Sequence, residues 1–340
     1  MPFKFKILEN DSPQWNEVIA LAEIHDFHHT AYFHKIDNSF TSKLLVFSYD
    51  ENFIAFPIVI RPIEATDYND VTSVYGYAGP VYKFENNFNP QQLLTFFKEQ
   101  FFAFCKEHKI ISVFSRLHPL IEQRILLNDF GNIEDLNKTV VIDLTMTAEE
   151  QRKAYRKSLK SELNQLRRKE IEVKEANSKT EIDQFIEIYY ETMSRVEASK
   201  LYYFSKEYFY DFLDNPDFNS KLLVAKHDNQ VIAGAIFTFT KKIMQYHLAG
   251  TTEAFIKETP MKLILDEARI FGNEISTECL HLGGGVGGQD NDSLFRFKSG
   301  FSKDFKQFSV WKLIVNDTIY KQLSKNKLPS SFFPLYRSPN

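Results

Sequence analysis

The run KLLVFSYDENFIAFPI (43–58) has an apolar stretch, a polar turn and a second apolar stretch, the pattern of a β-hairpin. KLLVAKHDNQVIAGAI (221–236) lies against it without a gap, and eight of the sixteen positions are identical: Lys43/Lys221, Leu44/Leu222, Leu45/Leu223, Val46/Val224, Asp50/Asp228, Ile54/Ile232, Ala55/Ala233 and Ile58/Ile236. The correspondence continues downstream. A third strand ending in Ala-Gly is expected in each copy, within YGYAGP (75–80) and YHLAGT (246–251). Pro90 and Pro260 then stand where a helix opens. Helix 90–108 carries Leu93, Leu94, Phe96, Phe97, Phe101, Phe104 and Cys105, and helix 260–272 carries Leu263, Ile264, Leu265, Ala268 and Ile270. Both are apolar enough to rest on a sheet. Short apolar strands follow, IISVFS (110–115) and ECLHL (278–282), and helical segments 14–25 and 180–195 precede the two hairpins. The order helix, hairpin, strand, helix, strand occurs twice. It predicts an α/β chain with mixed (α+β) sheets, made of two halves of one kind.

Between the halves, TVVIDL (139–144) reads as a strand ending the first, and EEQRKAYRKSLKSELNQLRRKE (149–170), free of Gly and Pro, as one long helix. Leu159, Leu163 and Leu166 recur at helical spacing and could dock it. Its basic residues, Arg152, Lys153, Arg156, Lys157, Lys160, Arg167, Arg168 and Lys169, are either a solvated face or a cradle for phosphates. The expected division is an N-terminal domain 1–146, a C-terminal domain 147–316 that opens with the basic helix, and an extension 317–340 with an irregular tail.

Length agrees with two domains: 340 residues at roughly 100–200 per domain. The 33 Phe and 16 Tyr are too many to scatter over a surface, so many must fill a core. Lys plus Arg number 41 against 45 Asp plus Glu, so no global positive field exists and any nucleic-acid contact needs a local patch. Cys105 and Cys279 make neither a disulfide framework nor a metal set. His25 and His29 are spaced i,i+4, but no nearby carboxylate completes a zinc set, so no metal is expected. Apolar runs such as 53–60 fall far short of the ~18 residues of a membrane span, and MPFKFKILEN lacks the apolar core of a signal peptide. A cytoplasmic location is the expectation.

The segment HLGGGVGGQDNDSLFRFKSGF (281–301) holds six of the twelve glycines. Gly283, Gly285 and Gly288 spell G-x-G-x-x-G, but only 52 residues follow, too few for a dinucleotide fold, and no P-loop is present. Glycines here permit positive φ and close backbone approach. The segment is either a tight chain reversal or a place where bared N–H groups meet an anion or a carbonyl oxygen. If 295–298 is extended, Phe295 and Phe297 share one side and Arg296 and Lys298 the other; if helical, the faces differ. No G-x-S-x-G supports a hydrolase triad.

The doubled unit resembles two GNAT (Gcn5-related acyltransferase) folds in tandem. The later half, with SLKSELNQLRRKEIEV, ETMSRVEASKLYYFSKEYF, YHLAGT and the Gly-rich segment running into SLFRFKSGF, is similar to the Fem peptidyltransferases. That resemblance implies a cytoplasmic acyltransferase moving an aminoacyl group from aminoacyl-tRNA to an amine of a cell-envelope precursor, with no tightly bound cofactor. It implies that Lys298 stabilises charge at the acyl centre and that Arg195 reaches the acceptor's phosphates. Tyr246, Tyr202, Tyr203 and Tyr77 (in YAGPV, 77–81) would contact the acceptor, joined by Gly283, Gly284, Gly285, Arg296 and Phe297 along the Gly-rich element. The basic helix 149–170 would be the counterpart of a tRNA-gripping arm. A standard GNAT enzyme holds coenzyme A on a Gly-containing turn that opens its helix, whereas KETPMKLIL (257–265) has no glycine. Acetyl-CoA is accordingly the alternative donor, for an N-acetyltransferase of an amino sugar or small amine. A non-catalytic pair binding a glycan or peptide is the further alternative.

Overall fold

The computed structural model describes residues 2–36, 40–285 and 292–339. In chain order the first elements are β1 (Lys4–Glu9), α1 (Pro13–Leu21), α2 (Ala31–Ile36), β2 (Thr41–Tyr49), β3 (Asn52–Pro62), β4 (Asn69–Thr72), β5 (Val81–Lys83), α3 (Gln91–Glu107), β6 (Ile110–Arg116) and α4 (Arg124–Leu127). Then come β7 (Asn132–Asp143), α5 (Ala148–Lys153), α6 (Lys157–Arg168), β8 (Glu172–Glu175), α7 (Lys179–Arg195), α8 (Lys206–Leu213), β9 (Asn219–His227), β10 (Gln230–Phe239), β11 (Ile243–Thr251), α9 (Met261–Glu274), β12 (Cys279–Gly283) and α10 (Ser293–Lys298). The chain closes with β13 (Asp304–Ile314) and α11 (Asp317–Ser324).

Two units result, residues 1–136 with 307–340 and residues 137–306. This differs from a simple division at 146 and 316. The strand expected to end the first half pairs instead with β12, Val141 opposite His281 and Asp143 opposite Cys279. Residues 307–340, expected with the second half and as an extension, return to the first unit, where β13 pairs with β6, Trp311 opposite Ser115. Hydrophobic pattern cannot reveal such an exchange, because both strands are apolar and either pairing buries them.

Both repeated hairpins form, the second with a register shift between Val231 and Ala233. Tyr49 faces Asn52 across one turn and His227 faces Gln230 across the other. The matched turn residues Asp50 and Asp228 both have positive φ (51° and 48°), a backbone that Asp tolerates better than most side chains. The third strands differ. In the second unit YHLAGT is the end of β11, but in the first YGYAGP is no strand. There β4 pairs with one end of β3 and β5 with the other, and between them 73–80 contributes an isolated parallel bridge, Ala78 to Leu117, rather than a strand.

Aromatic mass fills the first core: Phe47, Phe56, Phe97, Phe101, Phe104, Phe130 and Trp311 are buried together. Leu93, Phe97, Phe101 and Phe104 recur every three or four residues along α3, so one helical face meets the sheet. In the second unit α9 buries Leu263, Ile264, Leu265 and Ala268 against a cluster that includes Ala233 and Ala235 of β10. The intervening Gly234 abuts Phe185 of α7, so the period of two along β10 puts these helices on opposite faces of the sheet.

The expected basic helix is two helices, broken at residues 154–156, and its charges are mostly matched. Arg167 bonds Asp266 and Glu267 at 2.9 Å each, Arg152 lies 3.8 Å from Asp266, Arg156 pairs with Glu162, Lys153 with Glu149 and Lys169 with Glu258. Asp266 is fully buried, accepts from Tyr155 Oη at 2.7 Å and pairs with Arg269, whose Nη1 donates to Gln151 at 2.8 Å. Burial alone would raise the Asp266 carboxyl, but hydrogen bonds from Arg167 and Tyr155 and the Arg269 charge hold it below its ordinary value.

Removing this carboxylate leaves Arg269 buried without its counter-charge. Asp266→Ala should therefore cost about 3–5 kcal/mol in urea unfolding at neutral pH. Because the folded-state value is depressed, the contribution is complete above the unfolded value near ~4 and fades as pH falls through the folded one. The gap between wild type and Asp266→Asn should shrink progressively below about pH 4.

Candidate active site in the second unit

Strands β11 and β12 run parallel and pair at only three positions, Ile243/Cys279, Met244/Leu280 and Gln245/His281. The last rung is cross-linked by side chains, His281 Nδ1 donating to Gln245 Oε1 at 2.6 Å. Beyond it the strands part. On its other edge β11 carries a bulge: Phe237 faces Tyr246 but Ile236 faces Leu248, so His247 is an extra residue. A bulge bends its strand and re-aims the side chains beside it. Together these irregularities open a wedge between Tyr246 on β11 and the end of β12.

Lys298 fills that wedge. It is the last residue of α10 and is 6% exposed. Its Nζ donates to the Gly284 carbonyl at 2.7 Å and lies 5.4 Å from the centre of the Tyr246 ring. Burial pushes the ammonium down to about 7, with the Asp292 carboxylate opposing the shift. Tyr246 is raised by burial, which keeps its phenol protonated.

Local sequence explains the placement. Asp292 caps α10, its Oδ1 accepting from the N–H groups of Leu294 and Phe295 at 2.8 and 3.0 Å. Phe295 and Lys298, three residues apart on this helix, both point inward, whereas Arg296 is exposed. The helical alternative for 295–298 is thus the observed one, and Arg296 does not join Lys298. Phe297 is half-buried, edge-on to Phe301. Gly283 ends β12 with φ +74°, and a Cβ on Gly285 would sit 1.6 Å from Asp292 Oδ2, so neither position takes a side chain without strain or clash. The third glycine of G-x-G-x-x-G, Gly288, lies outside the described residues.

The other expected residues are dispersed. Arg195 ends α7, is exposed, and donates from Nη2 to the Thr251 carbonyl at 3.1 Å. Thr251 is five residues beyond Tyr246, about 17 Å along an extended strand, so Arg195 and Lys298 do not form one cluster. Tyr202 and Tyr203 follow α7 on the same loop: the Tyr202 carbonyl accepts from Tyr189 Oη at 2.8 Å and Tyr203 stacks on Tyr190. Tyr77 belongs to the first unit, its ring edge-on to His28, His118 and Phe308.

Sequence reasoning missed Asp292 and a buried group in the first unit. Asp26 Oδ2 meets His28 Nδ1 at 3.0 Å and His118 Nε2 at 3.2 Å, and the three could be read as metal ligands. His118, 92 residues from Asp26, is invisible to spacing. However, His118 Nδ1 accepts from the Leu120 N–H at 3.2 Å. A metal-bound imidazole needs an acceptor at that nitrogen, not a donor. The donor set fits a hydrogen-bond hub instead. Burial alone would raise Asp26, but bonds from His118 and His28 hold it well below its ordinary value, while burial lowers His118 and His29 and brings His34 to about 3.

Residues 153–288 match the acetyltransferase (GNAT) domain family. No curated protein matches the chain. Among solved structures, FemX superposes with a TM-score of 0.71 at 11% identity, covering 94% of this chain and 99% of its own. The chain has the Fem-type tandem GNAT fold. L-PGS from Bacillus licheniformis shares it (TM-score 0.58, 14% identity, 88% of this chain and 91% of that one). So does a tandem GNAT protein from the clavulanic acid biosynthesis pathway (0.51, 8%, 93% and 99%). The mixed α/β architecture expected from the repeat, with the tandem GNAT halves implied by the resemblance, is the one observed. No helix among the described residues is long and apolar enough to cross a membrane.

Lys298 titrates lower folded than unfolded, so its burial opposes folding at all pH below about 7, and that burden lifts between there and ~10.4. Lys298→Met should resist urea better than wild type at pH 6, with the margin shrinking toward pH 10 (~4 units above). Asp26→Ala should cost about 3 kcal/mol. Excess zinc should leave the wild-type melting temperature unchanged; a zinc-dependent rise would make the hub a metal site.

Proposed function

We propose that this chain is an acyltransferase that moves an aminoacyl group from aminoacyl-tRNA to an amine of a cell-envelope precursor, with the β11–β12 wedge as the acyl site. The observation that carries this reading is Lys298: a buried ammonium near neutrality, placed where a GNAT-type sheet opens, on a short helix capped for that purpose. The GNAT family match over 153–288 and the fold shared with FemX support the acyltransferase part.

In this mechanism a neutral amine attacks the ester carbonyl. The C–N bond forms, negative charge grows on the carbonyl oxygen, and the C–O bond to the tRNA ribose breaks. The amine proton ends on the departing ribose oxygen. Lys298 exchanges its bond to the Gly284 carbonyl for one to the developing oxyanion. A positioned donor of this kind contributes roughly 100–1,000-fold in kcat. Arg195, about 17 Å along β11, would hold an anionic part of a long acceptor, with Tyr202 and Tyr203 beside it. Much of the 149–170 run is occupied by ion pairs, so a tRNA would be met by Lys157, Lys160 and Arg168, which are exposed and have no ion pair among the described residues. Acetyl transfer from coenzyme A is the second reading, favoured by the family match.

Incubation with charged total tRNA or acetyl-CoA and a pool of envelope precursors, read by mass spectrometry, separates the two. The account predicts a one-residue mass gain that requires charged tRNA. An acetyl gain would replace it with the coenzyme A reading. Lys298→Ala should lower turnover roughly 100–1,000-fold. Because the ammonium form acts, wild-type kcat/KM should carry a descending limb near pH 7; an ascending limb there that Lys298→Ala abolishes would make the neutral amine a base instead.

A further inference from the structure

We infer that the first unit carries a separate binding site for a small anion borne on a flat ring, an aryl phosphate or aryl carboxylate. A cavity of about 580 Å³ opens between the β3–β4–β6 surface and the returning C-terminal segment. That is within the usual size of a ligand pocket. Arg61, Arg116 and Arg337 line it together with Phe114, Phe332 and Tyr336.

The guanidinium groups are fixed from behind. Asp70, fully buried, accepts from Arg61 Nε at 2.8 Å through one oxygen and from Arg337 Nε and Tyr336 Oη through the other. Arg337 Nη2 also donates to the Pro62 carbonyl at 2.8 Å. A guanidinium has five N–H donors. Among the described residues these bonds occupy one donor of Arg61 and two of Arg337, leaving the rest to a ligand in the cavity they line. Arg116 lies 5.2 Å from the centres of both the Tyr75 and Phe114 rings, a stacked cation beside an aromatic wall. Arg61 and Arg337 share the one buried carboxylate of Asp70.

The wall formed by the tail is pre-built. Tyr336 Oη also bonds Ser112 Oγ at 2.8 Å, the Leu335 N–H donates to Tyr320 Oη at 3.0 Å, and Phe333 stacks on Tyr320. Phe332, 48% exposed, lines the cavity from the tail side. Guanidiniums with spare in-plane donors recognise phosphate or carboxylate, and exposed rings beside them recognise a flat apolar body.

Calorimetric titration of the full chain with phenyl phosphate, benzoate, inorganic phosphate and phenol tests this site. The expected result is saturable binding of phenyl phosphate or benzoate at least tenfold tighter than inorganic phosphate or phenol. Which of the two binds more tightly assigns the oxyanion. Phe332→Ala, at an exposed position, should reduce that preference about tenfold by removing the stacked ring. Arg116→Gln should weaken both anions while phenol is unaffected. Absence of binding by either aryl anion at up to about 10 mM would overturn the proposal. So would binding indifferent to both substitutions, which would mean attachment elsewhere.

Discussion

One buried ammonium organises the second unit. Lys298 can be accommodated only because β11 and β12 separate after Gln245 and His281, exposing the Gly284 carbonyl and the Tyr246 ring to it. Each neighbouring oddity serves that placement. Asp292 caps the short helix that delivers the lysine, Gly283 turns the strand end through positive φ, and Gly285 has no side chain to push Asp292 away. A charge in such a place weakens the fold, and structures keep strained or poorly solvated groups where chemistry requires them.

Elsewhere the charged groups are used for scaffolding. Asp266 gathers Arg152, Arg167, Arg269 and Tyr155, tying α5 and α6 to α9. A stretch that looks strongly basic in sequence is thereby largely neutralised by acids from α9 and from within itself. The same logic holds in the first unit at Asp70 and at Asp26, where a buried carboxylate is matched by arginines in one case and by histidine N–H groups in the other. Among the described residues these three buried carboxylates are each matched by cations or N–H groups, whereas the Lys298 ammonium is bonded to a carbonyl.

The repeat made the architecture legible. Apolar periodicity located both hairpins, α3, α9 and the strands after them, and Lys298 was identified by resemblance before any geometry. What stayed hidden depended on contacts distant in sequence. Pairing of β7 with β12 and of β13 with β6 is chosen by tertiary fit among equally apolar strands. The loss of a third strand at 75–80 follows from β4 and β5 sharing one partner. The Asp26–His118 hub joins residues 92 apart. Likewise, the break in the basic run at 154–156 has no Gly or Pro to announce it; it lies where the Tyr155 hydroxyl reaches Asp266 and the Arg156 N–H bonds the Gly300 carbonyl. Arg195 and the tyrosines beside it sit far along β11 from the lysine, a separation that no motif spacing encodes.

Direct observation of the Lys298 side chain tests most simply whether it is a buried ammonium poised near neutrality. Proton–nitrogen correlation spectra of lysine Nζ groups, recorded across pH ~5 to ~11 so as to include the ordinary lysine value near ~10.4, and assigned by loss of one signal in Lys298→Met, give its titration curve. The account predicts that this signal titrates near 7, well apart from the other lysines. Titration together with them near ~10.4 would contradict it, because the ammonium would then be solvated and the wedge would not hold it.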